Sequence, residues 1–188
     1  SDVCSSDLTT VMVMDDSASN RQTHILVRGQ YDQHGEVVEA GIPEMLGALD
    51  ETKPPSRLTL AEWLTAPANP LTARVTVNRY WQMIFGTGLV KTTEDFGSQG
   101  DYPSHPELLD WLASEFIESK WDVRFLIKTI LLSRTYQQTS NVSPHLIQHD
   151  PYNRLLGRAP RFRLSAEAIR DNALQIGGLL NTSLGGPS

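Results

Sequence analysis

The side chains with the most chemistry to offer lie in two stretches. Asp95, Asp101 and His105, with Glu94 and Glu107 close by, sit in or beside one polar connection. Carboxylates on such a loop can ligate a hard cation, and a His–Asp pair can perform general acid–base catalysis. Their spacing matches no EF-hand loop, no His-Glu-x-x-His and no nucleophile elbow, so no metal site is expected. The competing structural reading is that Asp95 and Asp101 cap turns, Glu107 completes a capping box begun by Ser104, and His105 is an exposed first-turn residue. The second stretch is Arg154, Arg158, Arg161 and Arg163, with no acid between Pro151 and Ala166. Guanidiniums can grip phosphate, sulfate or a carboxylated sugar bidentately. Alternatively they pair with Glu167, Asp171 and other carboxylates, which this acidic chain supplies freely.

Other constellations are weaker. Gly97-Ser-Gln-Gly100 has neither the spacing of a dinucleotide loop nor the Lys-Ser/Thr of a phosphate-binding loop, and no strand runs into it. Trp63, Trp81, Trp111 and Trp121, with Phe85, Tyr80 and Tyr136, offer ring faces for carbohydrate stacking. Trp81 and Trp111 fall on apolar faces of expected helices, where packing is the commoner role. Ser133-Arg-Thr-Tyr-Gln-Gln-Thr-Ser presents hydroxyls without an adjacent base, and reads as a polar helix end.

The elements that must position these residues are mostly helical. Asn69 is a good N-cap, Pro70 suits the first turn and Gly86 can end a helix in the left-handed region, which predicts a helix over Pro70–Phe85. Ser104-His-Pro-Glu107 predicts a second start, after which Leu108, Leu112 and Phe116 recur beside Leu109 and Ile117. Asp122 is expected to cap a helix in which Phe125, Leu126, Ile127, Ile130, Leu131 and Leu132 leave a narrow polar edge, so that helix should be central and mostly buried. Arg57–Leu64 is a short helix and Leu164–Leu180 a last amphipathic one. Trp81, Phe85, Leu108, Leu112, Phe116, Leu126, Ile130 and Leu131 should form one core. Before these, Val11–Met14, Thr23–Arg28 and Val37–Val38 read as two or three strands, with a hairpin turning across Asp32–Gly35 and Gly35 supplying positive φ. Two long connections, Thr87–Pro103 and Gln137–Pro160, are where a site is expected. In the first, Phe96 should insert into the helical body, with Asp95 accepting backbone N–H bonds. The expected fold is therefore mainly α, about five packed helices with a small N-terminal β-hairpin element. Its parts are a leader over 1–8, a β element and Pro-containing linker over 9–56, and a helical domain over 57–188.

Several blocks in order resemble a known family. They are Asn69-Pro-Leu-Thr-Ala-Arg-Val-Thr-Val-Asn-Arg-Tyr-Trp, Glu94-Asp-Phe-Gly-Ser-Gln-Gly, Ser104-His-Pro-Glu-Leu-Leu-Asp-Trp-Leu, Ser133-Arg-Thr-Tyr-Gln-Gln-Thr-Ser, Asp150-Pro-Tyr-Asn-Arg-Leu-Leu and Arg163-Leu-Ser-Ala-Glu-Ala-Ile-Arg-Asp. Together they resemble the Planctomycetes-specific domain of unknown function, family 1553, which accompanies cytochrome c-like haem domains in large proteins. The resemblance implies a structural or interaction module of a larger extracytoplasmic protein, with that protein's other domains as partners. Its alternative implication is a polysaccharide-active enzyme or glycan-binding module. It also implies that the chain is a fragment, because family members continue beyond Gly185-Gly-Pro-Ser188. Ser1–Leu8 looks like a translated sequencing-adapter read from an environmental gene fragment.

Composition bounds the rest. At 188 residues, with 39% hydrophobic and 20% charged residues, the chain can bury roughly two thirds of its unfolded surface. No apolar run approaches the roughly 18 residues of a membrane span. The single cysteine, Cys4, excludes an internal disulfide, a cysteine-rich zinc site and Cys-x-x-Cys-His haem attachment, so no cofactor is expected in this chain. Of the formal charge of −6, residues 1–51 carry ten acids against Arg21 and Arg28, a balance of −8 that leaves +2 for the remainder. An acidic front on a near-neutral body is not the basic face of a nucleic-acid binder.

Overall fold

The computed structural model describes residues 12, 22–49 and 52–183. The expected strand at Val11–Met14, except for Met12, and the Ser1–Leu8 leader lie outside the described residues. Among those described, the architecture is mainly helical, as the sequence predicts. Two strands, β1 (Thr23–Leu26) and β2 (His34–Val38), precede six helices. These are α1 (Arg57–Thr65), α2 (Thr72–Phe85), α3 (Pro106–Glu118), α4 (Val123–Leu131), α5 (Pro144–His149) and α6 (Ala166–Ile176). The chain divides into two compact units, one ending at Thr72 and the other beginning at Ala73.

In the first unit β1 and β2 pair antiparallel, with Thr23 opposite Val38, His24 opposite Val37 and Leu26 opposite His34. Ile25 of β1 thus faces two residues of β2, Gly35 and Glu36, which is a bulge. Gly35 sits in this bulge and not, as expected, in the turn. A Cβ there would lie 2.9 Å from the Ile25 carbonyl oxygen, so the strands approach too closely for a side chain. The left-handed residues that reverse the chain are Arg28 and Gly29, at φ 52° and 75°. Further on, Ser56 caps α1 by accepting from the Thr59 N–H, and the buried Thr59 hydroxyl donates to the Pro54 carbonyl at 2.8 Å. Asn69 caps α2 as predicted, its Oδ1 accepting from the N–H groups of Leu71 and Thr72.

In the second unit α2 buries Ala73, Val77, Asn78, Trp81 and Phe85, one stripe at helical spacing. Gly86, at φ 81°, ends the helix, also as predicted. Trp81 and Phe85 stack with ring centroids 4.1 Å apart. α3 contributes Leu109, Leu112 and Phe116 to the same cluster, and α4 contributes Leu126 and Ile130. The α3–α4 turn is tight: Lys120 and Trp121 both take positive φ, and the Trp121 ring packs edge-on against Phe116 at 5.2 Å.

Four further expectations need correction. α4 buries Leu126 and Ile130 alone, while Phe125 and Leu132 are exposed and Leu131 is half-buried outside the cluster. α4 therefore covers the core with one face and is not central, because α3 is the only described helix packed closely on it. Trp111 lies on the outer side of α3 and is half-exposed, since Leu108, Leu109 and Leu112 already turn that helix's inner face to the core. The last helix is shorter than Leu164–Leu180 and has no buried residue. Ser165 caps it, and the Glu167 carboxyl is held below its ordinary pKa by a hydrogen bond to its own backbone and then by one to Ser165. The fourth correction, the missing capping box at Ser104, concerns the site and is taken up below.

The cluster makes a direct prediction. Leu112→Ala and Ile130→Ala should each cost roughly 2–5 kcal/mol in urea denaturation, because each removes a fully buried side chain. Trp111→Ala should cost less than either, despite its larger side chain. Losses below about 1 kcal/mol at both core positions would show that the helices do not pack on this cluster.

Candidate functional site

The second unit has a cleft of about 360 Å³ at the end of α2, walled by Trp81, Phe85, the Gly86–Leu89 turn and the Pro151–Phe162 segment. Its lining residues Gly88 and Leu89 belong to the turn Gly88–Val90, in which both Leu89 and Val90 are buried. Burial obliges the polar backbone of that turn to find partners inside the protein. Asn78, fully buried on α2, provides two of them. Its amide donates to the Val90 carbonyl and accepts from the Val90 N–H, both at 2.9 Å. Gly88 is glycine for the same reason, since a Cβ there would meet the Val90 carbonyl oxygen at 2.5 Å and the Asn78 amide at 2.7 Å.

From the other side the Arg154 guanidinium donates to the Gly88 and Leu89 carbonyls, each at 2.8 Å. Arg154 is placed by Asp150, a buried carboxylate that accepts from the N–H groups of Arg154 and Leu155 at 2.7 Å. The segment is closed further by Asn153, whose amide donates to the Arg158 carbonyl and accepts from the Arg158 N–H. The Arg158 guanidinium donates in turn to the Asp150 and Pro151 carbonyls. Thus the first two arginines bond to backbone carbonyls and to neither Glu167 nor Asp171. Arg161 also lines the cleft but, like Arg163, makes no hydrogen bond or ion pair with another described residue. Arg163 lies away from the cleft lining.

The carboxylate–histidine group is arranged differently from the arginines. Asp95 accepts from the Gly97 N–H at 2.8 Å, closing a local turn, and its neighbour Phe96 packs on the core. Asp101 is exposed, and its N–H donates to Thr92 Oγ1. Glu94 pairs with Arg79 at 3.2 Å on the surface. His105 Nδ1 lies 3.1 Å from Ser104 Oγ. None of Asp95, Asp101 and His105 lines the cleft, and among the described residues no three His, Cys, Asp or Glu side chains stand close enough to hold a metal ion.

Ser104 does line it, and here the expected capping box fails. His105, not Ser104, occupies the N-cap position, with no side-chain cap bond. The Ser104 N–H donates to the Leu89 carbonyl at 2.9 Å and its hydroxyl approaches the same oxygen at 3.4 Å. Leu89 C=O, already held by Arg154, draws Ser104 away from the helix start. Chemically, Ser104 and His105 form a hydroxyl–imidazole pair, but no described carboxylate orients the imidazole, as a nucleophilic triad would require. Asn78, Asp150 and Asn153 escaped the sequence reading. The signal for two of them was present in Asp150-Pro-Tyr-Asn153, since Asp and Asn favour bonds to nearby backbone.

Residues 56–188 match the model of a family described as PSD1, Protein of unknown function (DUF1553). No curated protein and no solved structure matches the chain.

The clamp is testable separately from the acidic loop. Asn78→Ala orphans the buried N–H and C=O of Val90, each worth about 1–3 kcal/mol, so a loss of roughly 2–6 kcal/mol is expected by denaturant titration. Asp101→Ala, at an exposed position, should stay within about 0.5 kcal/mol.

Proposed function

The chain belongs to this family of unknown function, DUF1553, and on that premise we propose that it is a structural or interaction module of a larger protein. The observation that carries this reading is α6. Ile169, Ala173 and Ile176 recur along one helical face, yet no residue of the helix is buried, and Ile176 and the following Leu179 are 88% and 75% exposed. An amphipathic helix with its apolar stripe in water is unfavourable, and docking against further protein removes that surface from water. In keeping with the resemblance in its sequence motifs, the covering protein is another domain of the same parent, one associated with a haem domain and lying outside the cytoplasm in a planctomycete. Among the described residues no helix is long and apolar enough to cross a membrane.

The alternative is a polysaccharide-active enzyme or glycan-binding module, of which the enzyme needs a nucleophile or water beside an oriented base. Ser104 and His105 are the nearest approach to that arrangement, and they lack the orienting group.

Amide hydrogen exchange tests the module reading. α6 should exchange rapidly in this chain and become protected in the full-length product of the gene. Ile169→Ser with Ile176→Ser should change the stability of this chain by no more than about 0.5 kcal/mol, as exposed substitutions do, while removing the protection in the full-length protein. Equal, rapid exchange of α6 in both would refute the reading.

A further inference from the structure

The cleft at the end of α2 carries charge that its own walls do not neutralise. Arg154, Arg158 and Arg161 all line it and no Asp or Glu does, although the chain as a whole has a formal charge of −6. None of the three forms an ion pair with a described residue. Arg154 and Arg158 are fixed on backbone carbonyls, which accept hydrogen bonds without cancelling a full positive charge. The nearest carboxylate, Asp150, is buried and turned to backbone N–H groups. Even set against it, the guanidiniums are in excess. A concave surface lined by charge of one sign concentrates the opposite ion.

Arg161 differs from the other two in having its whole planar fork unengaged within the described chain. Tyr152 and Phe162 line the same cleft. Tyr152 is 84% exposed, and Phe162 rests over Gly86, where an added Cβ would lie 3.0 Å from the ring. A volume of about 360 Å³ suits a molecule of one or two rings.

We infer that this cleft binds a small organic anion, its carboxylate, phosphate or sulfate group held by Arg161 in the field of Arg154 and Arg158, and its ring-sized body against Tyr152 and Phe162. The inference is independent of the module reading, which rests on α6. Arg154 and Arg158 also hold the fold, so Arg161 and Tyr152 are the residues to vary.

The test is calorimetric titration of the 188-residue chain with glucuronate, phenyl phosphate, inorganic sulfate and neutral glucose. At least one organic anion should saturate, more tightly than sulfate, and glucose should not bind; the preference between glucuronate and phenyl phosphate separates an acidic sugar from an aryl anion. Arg161→Gln should weaken that binding about tenfold or more with an unchanged melting temperature, as loss of a charge-assisted bidentate contact does. Arg161→Lys should restore it only partly, because an ammonium lacks the fork. Tyr152→Ala should weaken the organic anion and leave sulfate unaffected. No saturable binding of any anion at millimolar concentration, binding indifferent to Arg161→Gln, or equal affinity for sulfate and both organic anions would each overturn the inference.

Discussion

The second unit depends on the fate of one buried turn. Leu89 and Val90 enter the core as apolar residues and carry their backbone amides and carbonyls with them, away from water. An unpaired buried peptide group costs about 1–3 kcal/mol, so the turn is tolerable only if protein groups replace the water it loses. Three separate parts of the chain do so: Asn78 from α2, Ser104 from the start of α3, and Arg154 from the segment after α5. The requirement to satisfy one turn thereby ties together residues up to 66 positions apart.

That requirement also explains how the polar residues are divided. Groups that look chemically capable in isolation, Asp150, Asn153, Arg154 and Arg158, are engaged in holding backbone, and Asp95 closes its own turn. Arg161 and Arg163 make no such bond with a described residue, and the apolar stripe of α6 stays exposed. The backbone-bonded arginines Arg154 and Arg158 are held in place by the fold, whereas Arg161 and Tyr152 have no such bonds and would lose side-chain freedom on binding.

Several local signals were overridden by competition over distance. Ser104-His-Pro-Glu107 has the residues of a capping box, but the Leu89 carbonyl takes Ser104 first, and the helix begins one residue later without a side-chain cap. Gly35 has the type expected of a turn, but the bulge opposite Ile25 needs it more. Trp111 and Leu131 have core composition, but the inner face of each helix is set by which neighbours it meets, and the core takes Leu109, Leu112 and Phe116 from α3 and Leu126 and Ile130 from α4.

By itself the sequence determined what short-range physics governs. The caps at Asn69 and Asp122, the left-handed stop at Gly86, the helical stripe Val77–Trp81–Phe85, the hairpin's existence and the anchoring role of Phe96 each depend on residues within a few positions, or on burial of a large apolar side chain. The family motifs were legible in the same way. Tertiary structure alone decided which polar residues would be consumed by the fold and which left available. Asn78 on an otherwise apolar stripe, and Arg154 in a run of similar arginines, carry no local mark of their partners. Those partners are backbone groups of a distant turn, and backbone carbonyls are present at every residue, so nothing in the side-chain sequence singles them out.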